Sequence, residues 1–236
     1  MFKTIKTILF KFFSIKQYLL LMHYSFFILY YLQILRFFPE YSCHYGVRKL
    51  IKKGDTVIDI WANLGHYTAL FASWVWDSWH VYAVEPVPIF CEVLRSVFSK
   101  KKNVHILPFA LGKEDSSCVH LGVTSNDNYM RTWLPKIIEE RDLWDNNKFK
   151  YIFSSEMRAW SKLFSKLSNI NYIKIDVEWY EMPILYDMQD LIMNFHPLLQ
   201  VESHYKNKFA AFLNSIDYYK DFNNVEWDII CFPKNE

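Results

Sequence analysis

From Gly54 onward the chain alternates short apolar runs with amphipathic stretches. Gly54-Asp55 reads as a turn, and the apolar run Thr56–Ile60 behind it as a buried strand. The pattern then predicts a helix from about Gly65 to Ser73, a strand at His80–Val84, a helix from about Ile89 to Ser99 and a short strand at Val104–Leu107. Residues 112–160 hold no regular period apart from a strand at Cys118–Val123, and read as an irregular, substrate-facing insertion. Regularity resumes with a strand at Tyr172–Ile175, a helix near Pro183–Asn194, a strand at Leu198–Glu202 and a helix near Lys208–Ser215. Two closing strands, Tyr218–Phe222 and Trp227–Phe232, flank a hairpin turn at Asn223-Asn224. Strands alternating with helices predict an α/β fold around a mostly parallel, doubly wound sheet, with the terminal hairpin adding an antiparallel edge.

Residues 1–38 differ in pattern. Lys3, Lys6, Lys11 and Lys16 punctuate an aromatic and aliphatic run, and Tyr18–Leu35 is interrupted only by His23, Ser25 and Gln33. That run is near the lower limit of about 17 residues for a membrane-spanning helix. No small-residue cleavage site follows it, which argues against a signal peptide. The lysines do not share one helical face. Contact with a membrane surface and packing as a helical pair on the domain therefore stand level, ahead of a span. The division expected is a helical extension over 1–40 and one domain over 41–236, in the cytoplasm, at the inner face of the membrane if the extension docks there.

Composition adds two constraints. The net charge of +2 is too small to point to nucleic acid, and none is expected as a partner. Cys43, Cys91, Cys118 and Cys231 are widely spaced without a C-x-x-C pair, which fits free thiols better than a zinc site or a disulfide framework. No metal site is expected. Glycine is the anomaly. About 16 would be usual at a share near 7%, yet the chain has 5, beside 9 tryptophans.

Acidic residues gather where the predicted strands end: Asp59, Glu85, Asp176 with Glu178, and Glu202 with His204. In a doubly wound sheet ligands bind beyond those carboxyl ends. Glu85 lies 20 residues after Gly65, a spacing at which a carboxylate reaches the ribose hydroxyls of a nucleotide. With glycine restored at 61, the loop Trp61-Ala-Asn-Leu-Gly65 would read G-x-x-x-G. It lacks the middle glycine with which a dinucleotide loop approaches a pyrophosphate, which disfavours an NAD-dependent oxidoreductase.

Four blocks in order carry a family resemblance: residues 59–68, Val-Tyr-Ala-Val-Glu-Pro at 81–86, Ala-Leu-Gly at 110–112, and Ile-Lys-Ile-Asp-Val-Glu-Trp-Tyr-Glu at 173–181. Over about residues 50–232 the chain resembles the FkbM-type methyltransferases. The resemblance implies a Rossmann-like class I fold and S-adenosylmethionine as cofactor. It implies that the loop holding Asp59, Trp61, Asn63, Gly65, Tyr67 and Thr68 takes the methionine end. Glu85, followed by Pro86, would take the ribose, with Phe109 and Ala110 near the adenine. Asp176 and Glu178, with Glu202 and His204, would stand at the reaction centre. The implied reaction is O-methylation of a small-molecule or glycan hydroxyl, most naturally on a sugar or glycolipid. Other readings stay open: His204 as an ordinary loop histidine, and Glu178 and Glu181 as decoration of a helix start.

Where that family writes glycine, this chain has Trp61, Trp76, Trp79 and Trp179. An indole at 61 would enter the cofactor's space or push the loop onto a new path. Three explanations compete: UGA codons that specify glycine but are rendered as tryptophan, a degenerate binding protein that has lost the cofactor, or tryptophan at tolerant sites. The first accounts for both the glycine deficit and the placement. Trp133, Trp144, Trp160 and Trp227 have no clear glycine counterpart.

Overall fold

The computed structural model describes residues 2–76, 79–123, 129–130, 132, 135–138, 149–177, 180–202, 206–221 and 228–234. Its centre is a seven-stranded sheet of β1 (Val57–Ile60), β2 (Val81–Val84), β3 (Val104–Leu107), β8 (Tyr172–Ile175), β9 (Leu198–Glu202), β10 (Tyr218–Asp221) and β11 (Asp228–Pro233). The order is β10-β11-β9-β8-β1-β2-β3, parallel except where β11 pairs antiparallel with β9 and β10. Parallel strands buried on both faces need continuous apolar sequence. Val57, Ile58, Ile60, Ile173 and Ile175 are fully buried accordingly. The expected closing hairpin forms, but its second strand lies inside the sheet and β10 makes the edge. The turn proposed at Asn223-Asn224 lies outside the described residues.

Strand β1 is followed by α4 (His66–Val75) and β2 by α5 (Pro88–Val97). The chain runs from β1 outward to β3, then returns to place β8 against the other side of β1. This reversal between β1 and β8 is the switch point of the sheet.

The segment expected to be irregular is a correction. Besides the expected strand, which is β5 (Ser116–Val123), it holds β6 (Pro135–Ile138) and β7 (Tyr151–Ala159), and with β4 (Phe109–Gly112) just before it these form a second sheet in the order β4-β7-β5-β6. Along β7, half-buried Tyr151, Phe153 and Ser155 alternate with exposed Ile152, Ser154 and Glu156. A serine on the inner side and an isoleucine on the outer side mask the two-residue period. The single helix expected near 183–194 is likewise two, α7 (Glu181–Asp187) and α8 (Gln189–Phe195). They meet beside Asp187, whose carboxylate accepts the Trp160 N–H at the start of α6 (Trp160–Phe164).

At the N-terminus, α1 (Phe2–Phe12) and α2 (Ile15–Tyr31) are separate helices. Ser14 caps α2 in a reciprocal box with Gln17. Tyr18, Leu19, His23 and Phe26 of α2 are buried. Tyr18 and Leu19 join the same core as Ile58, Val84 and Ile175. A short α3 (Ser42–Gly46) follows, and α9 (Lys206–Ser215) precedes β10. Among the described residues no helix is long and apolar enough to cross a membrane.

Candidate functional site

The loop after β1 turns on three left-handed residues, Trp61 (φ +65°), Asn63 (φ +54°) and Gly65 (φ +79°). Hydrogen bonds fix its path. The Trp61 and Ala62 N–H groups donate to the Val84 carbonyl at 2.8 and 2.9 Å, and the Gly65 N–H donates to the Ala62 carbonyl at 2.8 Å. The Asn63 amide side chain donates to the Thr132 carbonyl. At Gly65 a Cβ would stand 2.6 Å from Leu94 Cδ2, so helix α5 closes over a position that only glycine can fill.

Glu85, fully buried at the end of β2, accepts the Asn63 N–H on one oxygen and the Val87 N–H on the other, each at 2.7 Å. Burial pushes its pKa up to about 8, and those two donors offset part of the rise. A carboxyl group with both oxygens engaged still offers further lone pairs to ribose hydroxyls. Pro86 is buried beside it. Phe109 and Ala110 begin β4, two residues past the Leu107 carbonyl that accepts the Glu85 N–H. Ala110 is buried, and the Arg158 guanidinium lies over the Phe109 ring.

Across the switch point Asp59 of β1 stands in register with Lys174 of β8. The Thr68 hydroxyl donates to Asp59 at 2.6 Å, and the buried Lys174 ammonium lies 3.9 Å from the other Asp59 oxygen. The same ammonium is 2.9 Å from Asp176, whose side chain keeps 37% of its surface exposed. Burial would raise the Asp176 pKa, but Lys174 and a hydrogen bond with Glu202 outweigh it and hold the carboxyl below its ordinary value. Asp59 is raised by burial despite Lys174. Tyr67 lies under the Lys174 ammonium, its ring stacked on His44 at 4.0 Å and its hydroxyl 3.4 Å from Asp228.

The structure thus joins Asp59 to Thr68, Asn63 to Glu85, and Asp176 to Glu202, all at the carboxyl ends of neighbouring strands. Tyr67 and Thr68 turn their polar groups into the buried cluster rather than outward. Glu178, His204 and Trp179 lie outside the described residues. Lys174, His44, Asp228 and His23 were missed. Lys174 had a signal, a charge inside an apolar strand; the other three come from distant segments that no local pattern joins.

The Trp61 indole is buried, with Nε1 lacking a partner among the described residues. The left-handed backbone at Trp61 and at Trp76 (φ +75°) is of the kind glycine adopts freely. Trp79 packs instead against Gly54.

The family profile of the FkbM methyltransferase domain matches residues 59–225. The chain belongs to the FkbM methyltransferase family. The FkbM methyltransferase from Methylobacillus flagellatus shares its fold, with a TM-score of 0.53 and 14% identity over 77% of this chain. The match spans 44% of that protein's length. Fibrillarin from Aeropyrum pernix with bound S-adenosyl-L-methionine matches at TM-score 0.46 and 10% identity, covering 78% of this chain and 68% of its own. An S-adenosylmethionine-dependent O-methyltransferase from Thermotoga maritima matches at 0.45 and 11%, covering 83% and 65%. No curated protein matches the chain.

The matched domain is a methyltransferase domain, and its strands and helices form an α/β fold. At the strand ends the Glu85 carboxyl closes on a glycine-terminated loop leading into a helix, an arrangement that fits S-adenosylmethionine. The Trp61 indole is the group in this loop that does not fit.

Proposed function

We propose that this FkbM methyltransferase methylates a hydroxyl group, on a sugar of a glycan or glycolipid, at the inner face of a membrane. The observation that carries the reading is the Lys174–Asp176–Glu202 arrangement. A carboxylate held ionised, partly exposed and beside a second carboxyl suits an acceptor hydroxyl. The bound cofactor supplies an electrophilic methyl group. The remaining work falls to the chain: Asp176 accepts the hydroxyl's hydrogen bond and takes its proton as the oxygen attacks, while Lys174 and Glu202 hold Asp176 in place. Glu85 and the 61–65 loop orient the cofactor. An Asp176→Asn variant is expected to lose about 10²–10⁴-fold in kcat, with KM for S-adenosylmethionine little changed. Unchanged turnover on hydroxylated glycan acceptors would overturn the assignment.

Exposed apolar residues support the membrane component. Of 19 large apolar side chains exposed among the described residues, 13 lie before residue 39, a segment that carries four lysines and one arginine but no acid. On α2, Leu21, Tyr24, Ile28 and Tyr31 form an outward stripe opposite the buried face.

A second reading, a degenerate binding protein without catalysis, is favoured by one observation, the buried Trp61 indole. Methyl transfer by the chain with tryptophan at 61 would exclude it.

A further inference from the structure

We propose that His23, on helix α2, is a positioning residue for the cofactor loop. Its imidazole is buried, 2% exposed, with Nδ1 2.7 Å from the Leu64 carbonyl oxygen. A carbonyl can only accept, so Nδ1 carries the proton. Burial keeps the ring neutral, which makes Nε2 the bare nitrogen. Leu64 precedes Gly65, the N-cap of α4, so its carbonyl stands outside the helix's own hydrogen-bond ladder.

The other backbone anchors of this loop come from within the α/β unit, while the Asn63 side chain reaches the Thr132 carbonyl beyond it. Val84 holds Trp61 and Ala62, Glu85 holds Asn63, and Ala62 holds Gly65. Leu64 is held from a helix 41 residues earlier. One turn further along α2, Phe26 stacks on His66 at 4.0 Å and 7°, and His66 is the first residue of α4. Helix α2 thus grips both sides of the Gly65 turn, and left-handed residues persist only where surrounding contacts over-determine them. The grip is itself fixed by the Ser14 cap and by Lys16 paired with Glu92 of α5. The N-terminal segment is accordingly part of the cofactor site and not a separable extension. This inference rests on the reading of residues 61–65 as the cofactor loop.

The test compares the full chain with His23→Ala and His23→Asn, whose side-chain amide nitrogen sits near the Nδ1 position and can donate. Amide exchange over residues 63–69 is expected to rise about ten-fold or more in His23→Ala, with strands β2 and β9 unchanged. Affinity for S-adenosylmethionine is expected to fall about ten-fold, and His23→Asn to restore both to within about three-fold. Wild-type exchange and affinity in His23→Ala would overturn the proposal. If His23→Ala does not fold, the ¹⁵N spectrum of the wild-type imidazole decides: a Nδ1–H tautomer supports the clamp and a Nε2–H tautomer overturns it. Absence of S-adenosylmethionine binding by both the chain and its Trp61→Gly variant contradicts the cofactor reading alone, and the exchange comparison still judges the clamp.

Discussion

Trp61 and Trp76 hold backbone conformations that cost a side-chain-bearing residue about 1–3 kcal/mol each. The two differ in what the indole returns. Trp76 is 56% exposed, and its ring meets the Lys53 ammonium, a contact worth about 0.5–1 kcal/mol at such a site. Trp76→Gly should therefore leave stability unchanged or raise it by about 1 kcal/mol in urea unfolding; a loss of more than that contradicts the strain. Trp61 is buried, so Trp61→Gly should cost the unliganded protein about 1–3 kcal/mol net, burial outweighing relieved strain. The gene bears on the same point: UGA at codons 61 and 76 is expected if glycine was meant, and UGG there would end that explanation. Lys174→Met should destabilise by about 3–5 kcal/mol, because it leaves Asp59 and Asp176 facing each other without a cation. Asp59, Glu85 and Asp176 were legible as strand-end acids. Their partners were not, since Lys174 reads locally as one charge in a strand, and His44 and Asp228 reach the cluster from opposite ends of the chain.

At the scale of elements, strands β1, β2, β3, β8 and β9 were legible within about a residue, because burial, complete in β1 and β8 and partial at the edge strand β3, favours continuous apolar runs bounded by turn chemistry. The second sheet was not, because β7 at its centre is half-buried, with Ser155 on the inner side and Ile152 on the outer. Helix α2 was legible as apolar, but not as two-faced. Its buried face grips the loop at Leu64 and His66, and its outer stripe, with Ile5, Ile8 and Phe12 of α1, has no protein cover among the described residues. Vesicles of anionic lipid should sediment the full chain, and neutral vesicles should do so less. A Leu21→Glu/Ile28→Glu variant should stay in the supernatant. Equal partitioning of chain and variant would count against a membrane-facing stripe.

For the molecule as a whole, buried titratable groups set a stability profile with two arms. Burial holds His23, His44 and His66 below the ordinary imidazole value, His44 at about 3. Unfolding lets them bind protons below about pH 6.5, so stability falls as acid is added. Glu85 works in the opposite sense. Its pKa rises from 4.5 to about 8 on folding, so the folded state carries an extra proton between those values and loses stability as pH rises toward 8. Maximum stability should lie near pH 6–7, with limiting slopes of about 1.4 kcal/mol per pH unit for each proton. Glu85→Gln should flatten the alkaline arm in urea unfolding between pH 6.5 and 8.5. An unaltered arm would mean that Glu85 is ionised in the folded protein.

The most direct test of the cofactor site is calorimetric titration of S-adenosylmethionine into the chain and its Trp61→Gly variant. The variant should bind about ten-fold more tightly or better, and Glu85→Ala in that background should abolish the gain. Binding by neither protein, or equal binding by both, would contradict the assignment of the 61–65 loop and Glu85 to the cofactor.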